Sequence, residues 1–270
     1  MERLFIYAVC YTYTPCSYNG ENILQNPRCV KKEVGQATQS RMNLRNELLE
    51  IYEKMDRHFG DLKWWPADGP FEVMVGAILT QNAAWANVEK AIAALKKRNL
   101  LNPESILGIS DEYLADLIRP SGYYRLKASR LKSFVRFFTE NYFGNVKIMQ
   151  KEDLWALRER LLGVWGIGRE TADSILLYAC EKPVFVVDTY TKRILYRHGL
   201  ITKDLTYEAV QYLFMQNLPH DRSLFNQYHA LLVNTGKHFC RKNPDCAGCP
   251  LGALLEASQM TKIERDLQRS

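Results

Sequence analysis

Three glycines and one aspartate carry the most chemistry in this chain. Gly163, Gly166 and Gly168 punctuate the segment LLGVWGIGRETADSILLYAC, between one helix-forming stretch and another that begins at Glu170. Glycine tolerates positive φ and lets a second backbone approach closely. A glycine-rich turn that opens a helix therefore presents unpaired N–H groups to an anion such as a phosphate. Beyond the glycines, the apolar run Val184-Phe185-Val186-Val187 ends at Asp188. A carboxylate fixed there can stabilise developing positive charge and orient a water molecule. Asp188 also reads as the N-cap of a helix from Thr189 to His198, and the two roles are compatible because a cap fixes its side chain.

A second group is aromatic. Trp64-Trp65-Pro66 precedes a helix, and Thr80-Gln81-Asn82-Ala83-Ala84-Trp85 lies in the next one. Flat aromatic faces receive planar rings, cationic ones best. They serve equally as core anchors, with Trp65 the core member of its pair. Positive charge near the turns comes from Arg169, Lys192, Arg193 and Arg197, and from Arg125, Lys127 and Arg130 after the break at Pro120-Ser121-Gly122.

Helices must position these residues. Leu44, Leu48, Ile51 and Met55 recur at helical spacing, as do Val73, Ala77 and Ile78, and then Val88, Ile92 and Leu95. Asn102-Pro103-Glu104 reads as a helix start with Pro in its first turn, and Ser110-Asp111 as another cap. Helical patterns follow over residues 127–138, 151–162, 207–218 and 224–236, and Val184 to Val187 reads as a short buried connector rather than a sheet. Residues 1–41 mix Tyr, Cys, Asn and Ser without helical period. They read either as a poorly ordered extension or as a misassigned start upstream of Met42.

The 270 residues are 47% hydrophobic and 24% charged, ordinary for a globular protein, with a net charge of +6 that favours a polyanionic partner. No apolar run approaches a membrane span. An odd cysteine count of 7 argues against a disulfide scaffold, and the chain reads as cytoplasmic and monomeric.

Taken together, Leu161 through Ala172 plus Val187-Asp188-Thr189 resemble the helix-hairpin-helix-Gly/Pro-Asp superfamily of DNA glycosylases. There the hairpin reads L-x-G-V-G-x-K/x-T-A and the catalytic Asp lies in a following V-D-T/x motif. Leu79-Thr80-Gln81-Asn82 is similar to a stretch of the endonuclease III-like members, and Gly122 to Ala128 to their G-x-Y/F-x-x-K-A segment. Trp64-Trp65-Pro66 with Trp85 looks like the 3-methyladenine DNA glycosylases of the endonuclease III type. The resemblance covers roughly Met42 to Leu251. It implies an all-α fold of two helical lobes, not independent, around a DNA-binding cleft, with residues 240–270 forming a cysteine loop and tail.

The resemblance also implies roles. Asp188 is the catalytic carboxylate, and Trp64, Trp65, Pro66 and Trp85 form the pocket for a base flipped out of duplex DNA. Gln81, Asn82, Gly163, Gly166, Gly168, Arg169, Lys192 and Arg193 hold the DNA around a damaged base. Strand-cutting relatives carry Lys where this chain has Glu170. A carboxylate cannot form the imine that lyase chemistry needs, which implies a monofunctional, water-using glycosylase. Many relatives end in C-x6-C-x2-C-x5-C, which binds a [4Fe–4S] cluster. Here Cys240, Cys246 and Cys249 match three positions, and Leu255 stands at the fourth. Three readings stay open: a cluster completed by another ligand such as His238 or Cys180, a zinc site of three Cys with His238, or a loop that holds no metal.

Overall fold

The computed structural model describes the backbone from residue 27 and side chains from residue 42, through residue 256, together with residues 259 and 263. Two compact units divide near Asn43. In the first, the described backbone is helical from Pro27 and belongs to α1 (Pro27–Phe59). Residues 27–41 therefore depart from the aperiodic reading: Pro27 suits a first helical turn, and no later Pro interrupts the stretch. Residues 1–26, the rest of the proposed extension, lie outside the described residues.

The second unit, from Leu44, is all-α among its described residues. Besides the C-terminal part of α1 it contains α2 (Pro70–Leu79), α3 (Trp85–Lys96), α4 (Pro103–Gly108), α5 (Asp111–Leu117), α6 (Tyr124–Tyr142) and α7 (Val146–Met149). Then come α8 (Leu154–Leu162), α9 (Arg169–Ser174), which widens into a π-helical turn at Ile175–Ala179, α10 (Thr189–Arg197), α11 (Tyr207–Asn217) and α12 (Arg222–His238). The two anticipated caps are in place, Asn102 accepting from Ser105 N and Ser110 from Tyr113 N, and Asp153 caps α8 by accepting from Trp155 N.

The periodic residues are the core. Leu48, Ile51 and Met55 on α1, Ile78 on α2 and Val88 and Leu95 on α3 are all buried, and each such side chain removed from water contributes roughly 1.5–3 kcal/mol. Alpha-1 is tied to α12 by Tyr228, whose hydroxyl donates to Leu48 O at 2.7 Å, and by Gln227, whose amide donates to Asp56 Oδ1 at 2.8 Å. The segment Val184–Val187 is a buried extended connector, as its sequence suggests, with Phe185 stacked on Phe214 at 3.7 Å.

That connector is what carries Asp188, and one buried carboxylate fixes it. Asp173 on α9 is wholly buried and receives a two-pronged bond from Arg158 of α8 at 2.7 and 3.0 Å. Its Oδ2 also accepts from the Tyr207 hydroxyl and the Gln211 amide of α11, both at 2.8 Å. Gln211 donates in turn to Phe185 O, and Val187 N donates to Tyr207 Oη. The hairpin helix and the connector are thus locked to one another through Asp173.

Candidate active site

Asp188 divides its carboxylate between two tasks. Oδ1 caps α10, accepting from Thr191 N at 2.7 Å and Thr191 Oγ1 at 2.8 Å. Oδ2 faces His229 Nε2 of α12 at 3.7 Å. Burial pushes the Asp188 carboxyl upward. The His229 ring and the Thr191 amide and hydroxyl outweigh it, so the group is held below the usual carboxylate range. Such a group is an anion at neutral pH in a nearly dry setting, where its field acts strongly on developing positive charge.

Glu170 stands in the first turn of α9 and is exposed to solvent. Surrounding protein and the negative charge of Asp188 push its pKa up to about 6. Two neighbouring carboxyls are thereby separated, one held ionised and one close to neutrality.

Among the three glycines of the turn, Gly166 has the plainest physical reason. Gly166 adopts φ +88°, and a Cβ there would lie 2.2 Å from Arg130 Cγ. Gly168 caps α9 without a side-chain bond, which leaves its first-turn N–H groups without a capping side chain, and Trp165 earlier in the turn is exposed. The turn is pinned from across the fold. Gln81 donates from Nε2 to Gly166 O at 2.9 Å and to Thr171 Oγ1 at 3.0 Å, while its Oε1 accepts from Arg130 Nη1 at 2.6 Å. Gln81 and Asn82 lie in the turn between α2 and α3 rather than in a helix, and Asn82 has φ +50° and an exposed side chain.

The aromatic group forms beside these residues. Trp65 packs edge-on against Trp85 with centroids 5.2 Å apart, and lies at 33° to Tyr178 at 4.9 Å. Trp64 stands perpendicular to Trp65 at 6.4 Å, with Lys237 Nζ 5.6 Å above its ring. Trp65 itself has φ +67°, and its indole nestles on α2 where Gly76 leaves room: a Cβ at Gly76 would meet Trp65 Nε1 at 3.3 Å. Trp65 is therefore the inner member of the pair, while Pro66 is exposed.

Other basic residues are more committed than their sequence suggests. Lys127 is buried, donating to Leu79 O at 2.7 Å and Ser121 O at 2.6 Å, and burial lowers its pKa to about 8. It is a strut between two turns rather than a surface charge. Lys192 donates to Leu205 O, Arg193 to Gly236 O, and Arg169 pairs with Glu208. Sequence reasoning missed Tyr178 and His229, which no motif marks, and Tyr123, exposed at the tip of the second turn with φ +45°.

At the C-terminal end, Cys240, Cys246 and Cys249 line one small cavity together with Leu255 and His198. Arg197 donates to Cys240 Sγ at 3.2 Å and to Arg241 O at 2.8 Å. Gly252 lies so close to Cys246 that a Cβ would sit 2.0 Å from its carbonyl oxygen. The two alternative ligands are elsewhere. His238 packs its ring with Phe59 and Phe239, and Cys180 is buried near Lys182 and Glu152 with its thiol pushed up to about 12. Three thiols and a leucine do not fit a four-thiolate cluster. Among the described residues, no three His, Cys, Asp or Glu side chains are gathered closely enough to hold a metal ion.

Comparison with known proteins decides the family. Residues 75–220 match the model of the HhH-GPD superfamily of base excision DNA repair proteins. The chain belongs to this family. MJ1434 of Methanocaldococcus jannaschii, provisionally named a DNA repair glycosylase, is 47% identical over 206 residues, 76% of this chain and 93% of its own. Endonuclease III of Thermotoga maritima is 33% identical over 181 residues, 67% of this chain and 79% of its own. Among solved structures, the 3-methyladenine DNA glycosylase MagIII of H. pylori, bound to 1,N6-ethenoadenine, is similar with a TM-score of 0.63 and 29% identity. That match covers 72% of this chain and 97% of MagIII. The protein is accordingly a DNA glycosylase of the endonuclease III-like, helix-hairpin-helix kind, and its partner is DNA. Among the described residues, no helix is long and apolar enough to cross a membrane.

Proposed function

We propose that this glycosylase hydrolyses the bond between deoxyribose and an alkylated purine, 3-methyladenine or a related base, in double-stranded DNA, without cutting the strand. The observation that carries the reading is the pairing of a buried, ionised Asp188 with Glu170 at the position where an imine-forming Lys would stand. The first-turn N–H groups of α9 after the Gly163, Gly166 and Gly168 turn, with polar and positive groups from Arg169, Asn82, Lys192 and Arg193, hold the backbone of a duplex. A damaged base flips at reduced cost and stacks on the Trp64, Trp65 and Trp85 group. As the glycosidic bond breaks, the departing base takes the electron pair, which neutralises a cationic alkylpurine. Asp188 stabilises the positive sugar, and a water oxygen then bonds to the same carbon and gives up a proton to solvent. No step calls on the cysteine loop, which Arg197 and apolar packing hold. We infer a monomer acting in the cytoplasm.

The aromatic group and the likeness to MagIII support this choice of base. The likeness to endonuclease III supports a second reading, action on oxidised pyrimidines or mismatches. Chromatography of bases freed from methylated duplex DNA separates the two, with borohydride trapping run alongside. Release of 3-methyladenine without a trapped adduct is the expected result. Release only from oxidised or mismatched duplexes, or a trapped covalent adduct, favours the second reading.

A further inference from the structure

The buried polar groups around Asp188 form a chain that the hydrolytic mechanism does not use. Tyr178, on the π-helical turn after α9, places its hydroxyl 2.5 Å from His229 Nδ1. The opposite nitrogen of the same ring, Nε2, is buried without a hydrogen bond of good geometry and faces Asp188 Oδ2 at 3.7 Å. Histidine and aspartate are 5% and 9% exposed, so water does little to mediate between them.

In a neutral ring the geometry fixes which nitrogen carries the proton. Burial, with Asp188 and Glu170 adding negative charge, holds the Tyr178 phenol protonated far above neutral pH, so its O–H is available to donate to Nδ1. A neutral imidazole that accepts at Nδ1 must carry its hydrogen at Nε2, the nitrogen that lies 3.7 Å from the carboxylate. The opposite tautomer would set a nitrogen lone pair against the Asp188 anion, which is repulsive in a low-dielectric site.

We propose that His229, held in one tautomer by the Tyr178 hydroxyl, is the positioning residue that keeps Asp188 ionised and aimed in this buried site. The inference rests on Asp188 being the reactive carboxylate. It also links the aromatic pocket to the reacting group, because the Tyr178 ring lies against Trp65 on one side and its hydroxyl binds His229 on the other. The titratable groups that face Asp188 and His229 are Glu170 from α9 and Tyr178 from the π-turn. Burial opposes ionisation of Asp188, and His229 with Thr191 offsets it, while the Asp188 charge in turn raises Glu170.

Two measurements on the full chain test this. Nitrogen-15 histidine spectra, with the His229 signal identified by its loss in His229→Gln, should show hydrogen on Nε2. Hydrogen on Nδ1 at neutral pH would overturn the proposal without reference to activity. Single-turnover base release against pH is the second. In His229→Leu the acidic limb should move up by about one pH unit, while the rate at neutral pH, where Asp188 stays ionised, should fall severalfold through lost aim alone. Affinity for duplex containing an abasic site should stay within about twofold, since uniform binding is untouched. Tyr178→Phe should shift the limb in the same direction by less, and His229→Gln, which keeps an amide N–H near Nε2, should restore most of the rate. Tyr178→Phe loses only a hydroxyl, so it decides the matter even if His229→Leu does not fold. Unmoved acidic limbs in the variants that fold would reduce His229 to packing. If Asp188→Asn releases base like wild type, the underlying reading of Asp188 fails, while the nitrogen-15 result still decides the tautomer.

Discussion

Gln81 and Gly166 lie 85 residues apart and are joined by a 2.9 Å hydrogen bond from the glutamine amide to the glycine carbonyl. The same amide accepts from Arg130, whose aliphatic stem fills the space over Gly166 where a side chain would otherwise stand. A side chain that the family resemblance assigns to DNA is thus also the peg of the turn proposed to hold DNA. Gly166→Ala meets both a positive φ and Arg130, so it should destabilise by more than about 1 kcal/mol. It should also weaken duplex binding more than it lowers the rate at saturating DNA. Chemical denaturation and binding to an abasic duplex measure the two effects, and wild-type values for both would remove the peg.

Asp188→Asn keeps a cap, since asparagine caps as well as aspartate. The melting temperature should therefore change little. Base release should fall by at least about a hundredfold, because a neutral amide does not offset the charge on the sugar. Parallel losses of stability and activity would instead mean that the carboxylate serves the fold alone.

Glu170 has a pKa of about 6 in the folded protein, above its ordinary 4.5. The native state therefore binds more protons than the unfolded chain between these values, and this group lowers stability as pH rises through about 6. Glu170→Gln should melt higher than wild type above that pH and level with it near pH 4. Solvent reaches this side chain, so the gain should be small. Melting curves at three pH values give the sign directly.

Glu170→Lys places an amine beside Asp188. Reduction with borohydride during turnover should trap this variant on DNA and leave wild type untrapped. A trapped wild-type adduct would show that another amine of this chain already serves.

Breaking the Arg158–Asp173 pair leaves a charge in a dry core. Arg158→Ala should cost about 3–5 kcal/mol, far more than removal of an exposed pair such as Arg119–Asp116. Since Asp173 also holds Tyr207 and Gln211, which grip the Asp188 connector, activity at temperatures where the variant is folded should fall as well. Equal costs for the two pairs, by denaturant titration, would mean that the Asp173 hub carries no special weight.

The sequence by itself determined the helical class, the caps, the turn at Gly163 to Gly168 and Asp188 at the head of α10. These depend on local spacing, on apolar residues at every third or fourth position and on backbone freedom at glycine, all of which are properties of neighbours in the chain. The absence of an imine-forming lysine at Glu170 was equally legible, because it is a matter of residue type. Tertiary structure alone decided what surrounds Asp188. His229 and Tyr178 come from α12 and the π-turn, and neither carries a motif, since a buried histidine and a packed tyrosine look like ordinary core until distance brings them together. The same holds for Lys127, which reads as a surface charge and becomes a buried strut between Leu79 and Ser121. The cysteine loop divides in the same way. Its missing fourth thiol was visible as Leu255, but only packing put His238 among phenylalanines and Arg197 on Cys240. Contacts between residues far apart in sequence depend on how helices pack, and no local pattern encodes that packing.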